Sequence, residues 1–227
     1  MGEEVKPQKR RYNSAHRQRR ARETRGQILE AARRLFLERG YSGTTIDAVA
    51  NEAGVAVETV YAAFGNKRTL LARLVEISVV GDDEPEPLLQ REGPQEVRGE
   101  RDQRRQIVLF AHGISEIMAR VGPLFDVLRV AAATEPEIAA LLADLLGKRH
   151  DGMRFFVEAL TRNGPLREGL DVEEAVDTVW TITSAEVHRL LTVDRGWSAE
   201  RYRTWLAGSL TSLLLPAAGD PTAGVTD

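Results

Sequence analysis

The sequence predicts an all-α fold. Nearly every segment repeats its apolar residues at the 3.6-residue period of a helix, with Gly, Pro and capping residues at the ends of the stripes. The alternation of β-branched residues that marks a strand never persists for four residues outside those stripes.

The elements follow in order. Ile28, Ala32, Leu35 and Phe36 stand at i, i+4, i+7 and i+8. Thr24 followed by Gln27 fits a capping box and Gly40 a C-terminal stop, so a first helix is expected over about 24–39. Ile46, Val49, Ala50 and Ala53 give a short second helix, capped by Thr44 or Thr45 and ended by Gly54. Val57, Val60, Tyr61 and Phe64 repeat the same spacing in a third. Asn66 caps a fourth that carries Leu70, Leu71, Leu74 and Val75. Five more patterns cover about 101–120, 123–133, 135–162, 171–193 and 198–215, for about nine helices in total. Pro123 and Pro136 sit where helices can start, Asn163-Gly164-Pro165 is a break, and Ser198 can cap the last helix.

Composition sets the outer limits. The 227 residues are 42% hydrophobic and 29% charged, which excludes a mostly disordered or fibrous chain. No cysteine is present, so disulfides, thiol nucleophiles and cysteine-held metals are excluded. No apolar run approaches the roughly 18–20 residues of a membrane span. The N-terminus is charged from Glu3 onward, unlike a secretory signal. A cytoplasmic protein with no membrane partner is expected.

The net charge of −3 hides an uneven layout. Residues 1–25 hold nine basic residues and three acids, a balance of +6, and the remainder carries −9. Residues 1–21 read as a basic, flexible arm: either a solvated tail or a contact for nucleic acid or another anionic surface. Residues 81–100 hold seven acids, three Pro and three Gly, and read as a linker or long loop. Residues 216–227 read as a tail.

The two short helices and the turn at Gly54-Val55-Ala56 make a helix-turn-helix over about 45–64. Their apolar faces pack on the first helix. The other face of the third helix, with Glu58, Thr59, Ala62 and the edge of Val57, is left to enter a DNA major groove.

The run ILEAARRLFLERGYSGTTIDAVANEAGVAVETVYAAFGNKRTLLARL resembles the N-terminal domain of the TetR family of transcriptional regulators. The resemblance covers about residues 22–80 and includes Gly40-Tyr41, Thr44-Thr45, Ala53-Gly54-Val55, Thr59, Tyr61, Phe64 and Lys67. It implies a three-helix DNA-binding domain joined by a fourth helix to a larger helical domain at 101–215 that dimerises and binds a small-molecule inducer. It also implies a repressor on a palindromic operator in double-stranded DNA, with the homodimer formed through the last two helices. Carried over by position, Thr45, the Tyr61 hydroxyl and Lys67 would meet phosphate, with the Tyr61 ring packed inside. Val57, Glu58, Thr59 and Ala62 would face bases. Glu58, Ala56 and Ala62 depart from the family's usual residues and leave base reading sparse. That shifts weight to Arg17, Arg19, Arg20, Arg22 and Arg25, through the minor groove or the phosphates.

In the larger domain, His112, Ser115 and Glu116 form one polar seam. Trp180, Ser184 and His188 form a second, at i, i+4 and i+8 of a helix from Asp171. With Phe125 these could line a ligand pocket, or they could be satisfied core residues. No catalytic motif is present: H-E-x-x-H, G-x-S-x-G and the Walker Gly-Lys run are all missing. His112 and Glu116 alone are too few to fix a metal. No catalytic residue, metal or cofactor is expected. Two alternatives stay open: a regulator without a small ligand, controlled by a protein partner, and a helical enzyme.

Overall fold

Good helix formers fill this chain, and every regular element among the described residues is helical. A computed structural model describes residues 9–82, 84 and 86–217. Residues 1–8 of the expected arm and 218–227 of the expected tail lie outside them. The chain divides into two units that meet between Leu74 and Val75.

The first unit holds α1 (Lys9–Arg39), α2 (Ile46–Ala53), α3 (Val57–Phe64) and the first turns of α4 (Lys67–Val80). Ile28, Ala32 and Phe36 from α1 meet Val49, Ala50, Val60 and Leu70 in a fully or almost fully buried core. The hydroxyl of buried Thr44 faces the carbonyls of Leu35, at 3.0 Å, and Gly40, at 2.8 Å, and so ties the α1–α2 turn. Thr45 caps α2 by accepting from the Ala48 amide, and Asn66 caps α4 by accepting from Thr69.

α1 corrects the expected start at Thr24. The helix continues back to Lys9, so residues 9–21 of the arm are helical. The cause is local. Between Pro7 and Gly26 the sequence has neither Gly nor Pro and is rich in Arg, Gln and Ala, so Thr24 has no reason to act as a cap.

The second unit holds α5 (Glu92–Gly99), α6 (Gln103–Ala132), α7 (Pro136–Thr161), α8 (Val172–Ile182), α9 (Ala185–Arg189) and α10 (Ala199–Leu214). Its core runs along α6 through Ile107, Val121, Leu124 and Leu128. It meets Ile138, Val157 and Leu160 of α7, Val176 and Val179 of α8, and Leu206 and Leu210 of α10. By length and composition α6 is apolar enough to cross a membrane, at a mean hydropathy of 1.3 over its most apolar stretch, which corrects the expectation that no run reaches that length. Here its apolar positions are the spine of this core.

Three expected boundaries change. α6 passes straight through Pro123, where two helices were expected. The lost hydrogen bond is outweighed by the buried neighbours Val121, Leu124, Phe125 and Leu128. The acidic segment 81–100 contains a short 3-10 turn at Leu88–Gln90 and then α5, with Pro94 in the first turn, where proline is tolerated. Arg91 pins this segment by a two-point pair with Asp82, at 2.5 and 2.7 Å, and Gln106 donates to the Val97 carbonyl at 2.9 Å. The helix expected over 171–193 breaks at Thr183-Ser184. Thr183 donates to the Val179 carbonyl at 2.7 Å, and Ser184 caps α9 by accepting from the Val187 amide. One π-helical turn, Leu190–Asp194, follows α9.

Candidate functional site

The turn between α2 and α3 is built on Gly54, whose φ of 67° suits a residue without Cβ. Its amide closes α2 by donating to the carbonyls of Ala50 and Asn51. α3 then buries Val60 and Phe64 and turns its opposite side out. Glu58 and Ala62 are exposed, Val57 and Thr59 half-buried. Tyr61 is 51% exposed, so its ring lies outside the core, contrary to the packed ring expected from the sequence. The two-turn helix can bury only one side in so small a domain, and Val60 and Phe64 occupy that side. Thr45 is exposed at the start of α2. Val57, Glu58, Thr59, Tyr61 and Ala62 thus lie on the accessible sides of one helix eight residues long.

Two of the expected phosphate ligands hold the domain together instead of standing clear. Arg25 is half-buried, donates from Nη1 to the Ala63 carbonyl at 3.1 Å and lies 4.8 Å over the Phe64 ring. It fastens α1 to the C-terminal end of α3. Lys67 donates from Nζ to the Tyr41 carbonyl at 3.0 Å and sits 4.1 Å over the Tyr41 ring. Its other ammonium protons still point away from that bond, because an ammonium carries three donors. Arg22 is exposed. Neither the Arg25 nor the Lys67 contact is visible in the sequence, since the partners lie 38 and 26 residues away.

Residues 28–74, the span of this three-helix unit, match the family model described as bacterial regulatory proteins, tetR family. Over these residues the chain is similar to the N-terminal unit of TetR-family regulators. HTH-type transcriptional regulator TtgR of Pseudomonas putida is 45% identical over 56 residues, which are 25% of this chain and 27% of TtgR. ArpR of Pseudomonas putida matches to the same extent. The match therefore spans about a quarter of these curated relatives' length. The TetR-type fold extends further. FadR of Bacillus subtilis, solved with stearoyl-CoA, superposes with a TM-score of 0.65 at 20% identity over 82% of this chain and 97% of FadR. A protein from Saccharomonospora viridis, solved with choline, gives 0.61 at 20% identity over 85% of this chain and 97% of its own.

The second unit of the chain has a cavity of about 380 Å³ between the acidic segment, α6 and α7. Leu88, Val97, Leu109, Ile117, Phe155 and Phe156 supply apolar wall, and Phe110 stacks on Phe156 at 3.7 Å. His112 and Glu116 line it, 3.8 Å apart and more than half exposed, so the polar pair is at the rim. Arg120 also lines it and donates to the carbonyls of Ser78 and Val79, the last turn of α4.

The other four expected pocket residues are elsewhere. Ser115 is buried two residues past Gly113, roughly 200° around α6 from the cavity side. Phe125 is five residues past Arg120 and packs in the core. Ser184 is used as the α9 cap. Trp180 is half-buried under Arg149, whose guanidinium sits 5.2 Å from its ring and donates to the Trp180 carbonyl and, at 2.8 Å, to the Thr183 hydroxyl. Burial lowers the Arg149 pKa to about 10. The second seam fails because Thr183 and Ser184 interrupt the helix on which its spacing depended. No group of three metal-ligating side chains occurs among the described residues.

Proposed function

We propose that this chain is a sequence-specific DNA-binding regulator, a dimeric repressor released from its operator by a small molecule. The observation that carries the reading is the outward side of α3. A helix whose buried side holds Val60 and Phe64 presents Glu58, Tyr61 and Ala62 to solvent, and Thr45, the cap of α2, is exposed as well. That arrangement suits insertion into a major groove with phosphate contacts on either side. The match to TtgR over this same unit supports it.

The ligand half of the proposal rests on the cavity and on the small molecules carried by FadR and the S. viridis protein. At about 380 Å³ the cavity suits a compact, mostly apolar molecule with one polar end at the His112–Glu116 rim. Arg120 lines the cavity and holds the end of α4, so an occupant that displaces Arg120 loosens that end.

The dimer half rests on an apolar surface over α8–α10. Leu190 is 50% exposed, Val193 69% and Leu213 37%, around a groove lined by Ile182, Val187, Leu191 and Trp205. Two copies joined there as a two-fold dimer would suit a palindromic site.

The deciding experiment is fluorescence anisotropy with a labelled duplex from the region upstream of the gene, against a scrambled duplex of equal length. Tighter binding to the first supports the reading. Equal binding to both across a salt series rejects sequence-specific regulation.

A further inference from the structure

Among the described side chains of α1, the first buried one is Ile28. Residues 9–23 form just over four helical turns ahead of Ile28, and the described side chains of 16–23 are all exposed. The sequence gives this stretch seven basic residues and one acid, Glu23. No acid stands in the first helical turn. Such a helix is unfavourable alone: it has no apolar side to pack, its cations repel one another, and its positive charge sits at the wrong end of the helix dipole. A polyanion removes two of these three penalties.

Position supports the same partner. The Arg25–Ala63 bond fixes the point where the extension leaves the domain, beside the C-terminal end of α3. The extension therefore starts at the end of α3 that carries Ala63 and Phe64. Size then excludes one mode of binding. A helix with side chains is about 10–12 Å across, whereas the minor groove is about 6 Å wide. As a helix, this stretch is too wide to thread the minor groove, which favours the phosphates of the two modes the sequence left open. Its arginines also keep to no single side: at about 100° per residue, Arg17, Arg19, Arg20 and Arg22 spread around the axis. Charge on all sides suits phosphates, which repeat along the duplex, better than base edges.

We propose that residues 9–23 dock as a helix along the phosphates of the duplex flanking the segment entered by α3. The proposal rests on the DNA-binding reading above. Fifteen residues span about 22 Å, or about six base pairs at 3.4 Å per step.

The test uses a duplex selected from a random pool by the full-length chain, rebuilt with flanks lengthened in two-base-pair steps. The wild-type chain should gain affinity over about six added base pairs on each side and then level off. The full-length variant Arg17→Gln/Arg19→Gln/Arg20→Gln should lose most of that gain. Its slope of log K against log salt should fall by at least about 0.9, one phosphate's worth. Arg17→Lys/Arg19→Lys/Arg20→Lys should keep both, because phosphate contact needs charge rather than a guanidinium fork. Thermal melts of all three chains should lie close together, since all three side chains are exposed and the Arg19–Glu23 pair at 3.7 Å is a solvent-screened one. Flank-independent affinity in the wild type overturns the proposal, as does a lysine variant as weak as the glutamine one. Failure to select any duplex rejects the DNA-binding reading itself.

Discussion

Lys67→Ala is the most informative single substitution, because the structure gives Lys67 two separable roles. Inside the protein it donates to the Tyr41 carbonyl at 3.0 Å and lies 4.1 Å over the Tyr41 ring. A hydrogen bond from a charged group contributes about 1.5–3 kcal/mol and an exposed cation–π contact about 0.5–1 kcal/mol. Lys67 is only half-buried, so solvent screening reduces both, and the expected loss is about 1–2 kcal/mol. For a domain of this size that lowers the melting temperature by roughly 5–15 °C. A domain with a usual margin of about 5–15 kcal/mol stays folded at 25 °C, so binding can still be measured. On DNA, the ammonium protons not used by Tyr41 should meet a phosphate. Lys67→Ala should then weaken binding alike on all sequences and lower the salt slope by about 0.9. Melts and salt-dependent anisotropy on the same preparation separate the two effects. An unchanged slope with a lower melting temperature would show that Lys67 is a clamp and no phosphate ligand. No change in either would refute both roles.

Other outcomes follow from single contacts. Gly54→Ala should destabilise the chain by about 1–2 kcal/mol in urea unfolding, because the turn needs φ of 67° and an added Cβ meets nothing within 4 Å, which leaves backbone strain as the sole cost. Gly54→Asn should recover part of the loss. Thr45→Ala should cost about 1 kcal/mol by removing the α2 cap, and should weaken DNA binding as well. His188 is half-buried against Tyr202, and burial holds its pKa below the ordinary 6.5. The unfolded chain therefore binds more protons just below pH 6.5, so stability is full above that pH and falls as pH drops toward the folded value. His188→Gln should flatten the melting temperature between pH 7.5 and 5.5, and an unchanged slope would place the titration elsewhere. Val193→Asp with Leu190→Glu should yield a monomer by light scattering if the α8–α10 surface joins two copies; a dimer of unchanged mass would show that this surface is not the interface.

The parts of the fold set by neighbours in sequence were legible in it. The caps at Thr45, Asn66 and Ser198 and the stop at Gly54 depend on residues within four positions of one another, and each appears in the structure. Helix ends set by tertiary packing were not. Pro123 reads as a break until Val121, Leu124 and Phe125 are seen to bury the helix on both sides of it. The reverse holds for the acidic segment. Its Pro and Gly suggest a plain loop, and the Asp82–Arg91 pair and the Gln106 contact organise it through space. In the cavity, His112 and Glu116 were legible because both lie on the stretch of α6 that faces it. Trp180 and Ser184 were placed by counting turns across a helix that Thr183 and Ser184 interrupt.

The same distinction bears on where DNA affinity resides. Arg25 and Lys67 stand near the C-terminal end of α3, and each is engaged by a backbone carbonyl of its own domain. α3 itself offers Glu58 and Ala62 outward, one repelled by phosphate and one limited to apolar contact. On the proposed DNA-binding reading, much of the charge that would meet phosphate stands before residue 24, where the described side chains of α1 are exposed. Affinity from such a source falls steeply with salt and varies little with base sequence. Discrimination must then come from the few groups on α3 and from the shape and deformability of the duplex. A chain built this way should show a salt slope large for its number of base contacts, and base substitutions under α3 should cost less than the usual 1–3 kcal/mol per position. A shallow slope with steep base discrimination would place the recognition in α3 after all, and would leave the basic extension without a role in binding.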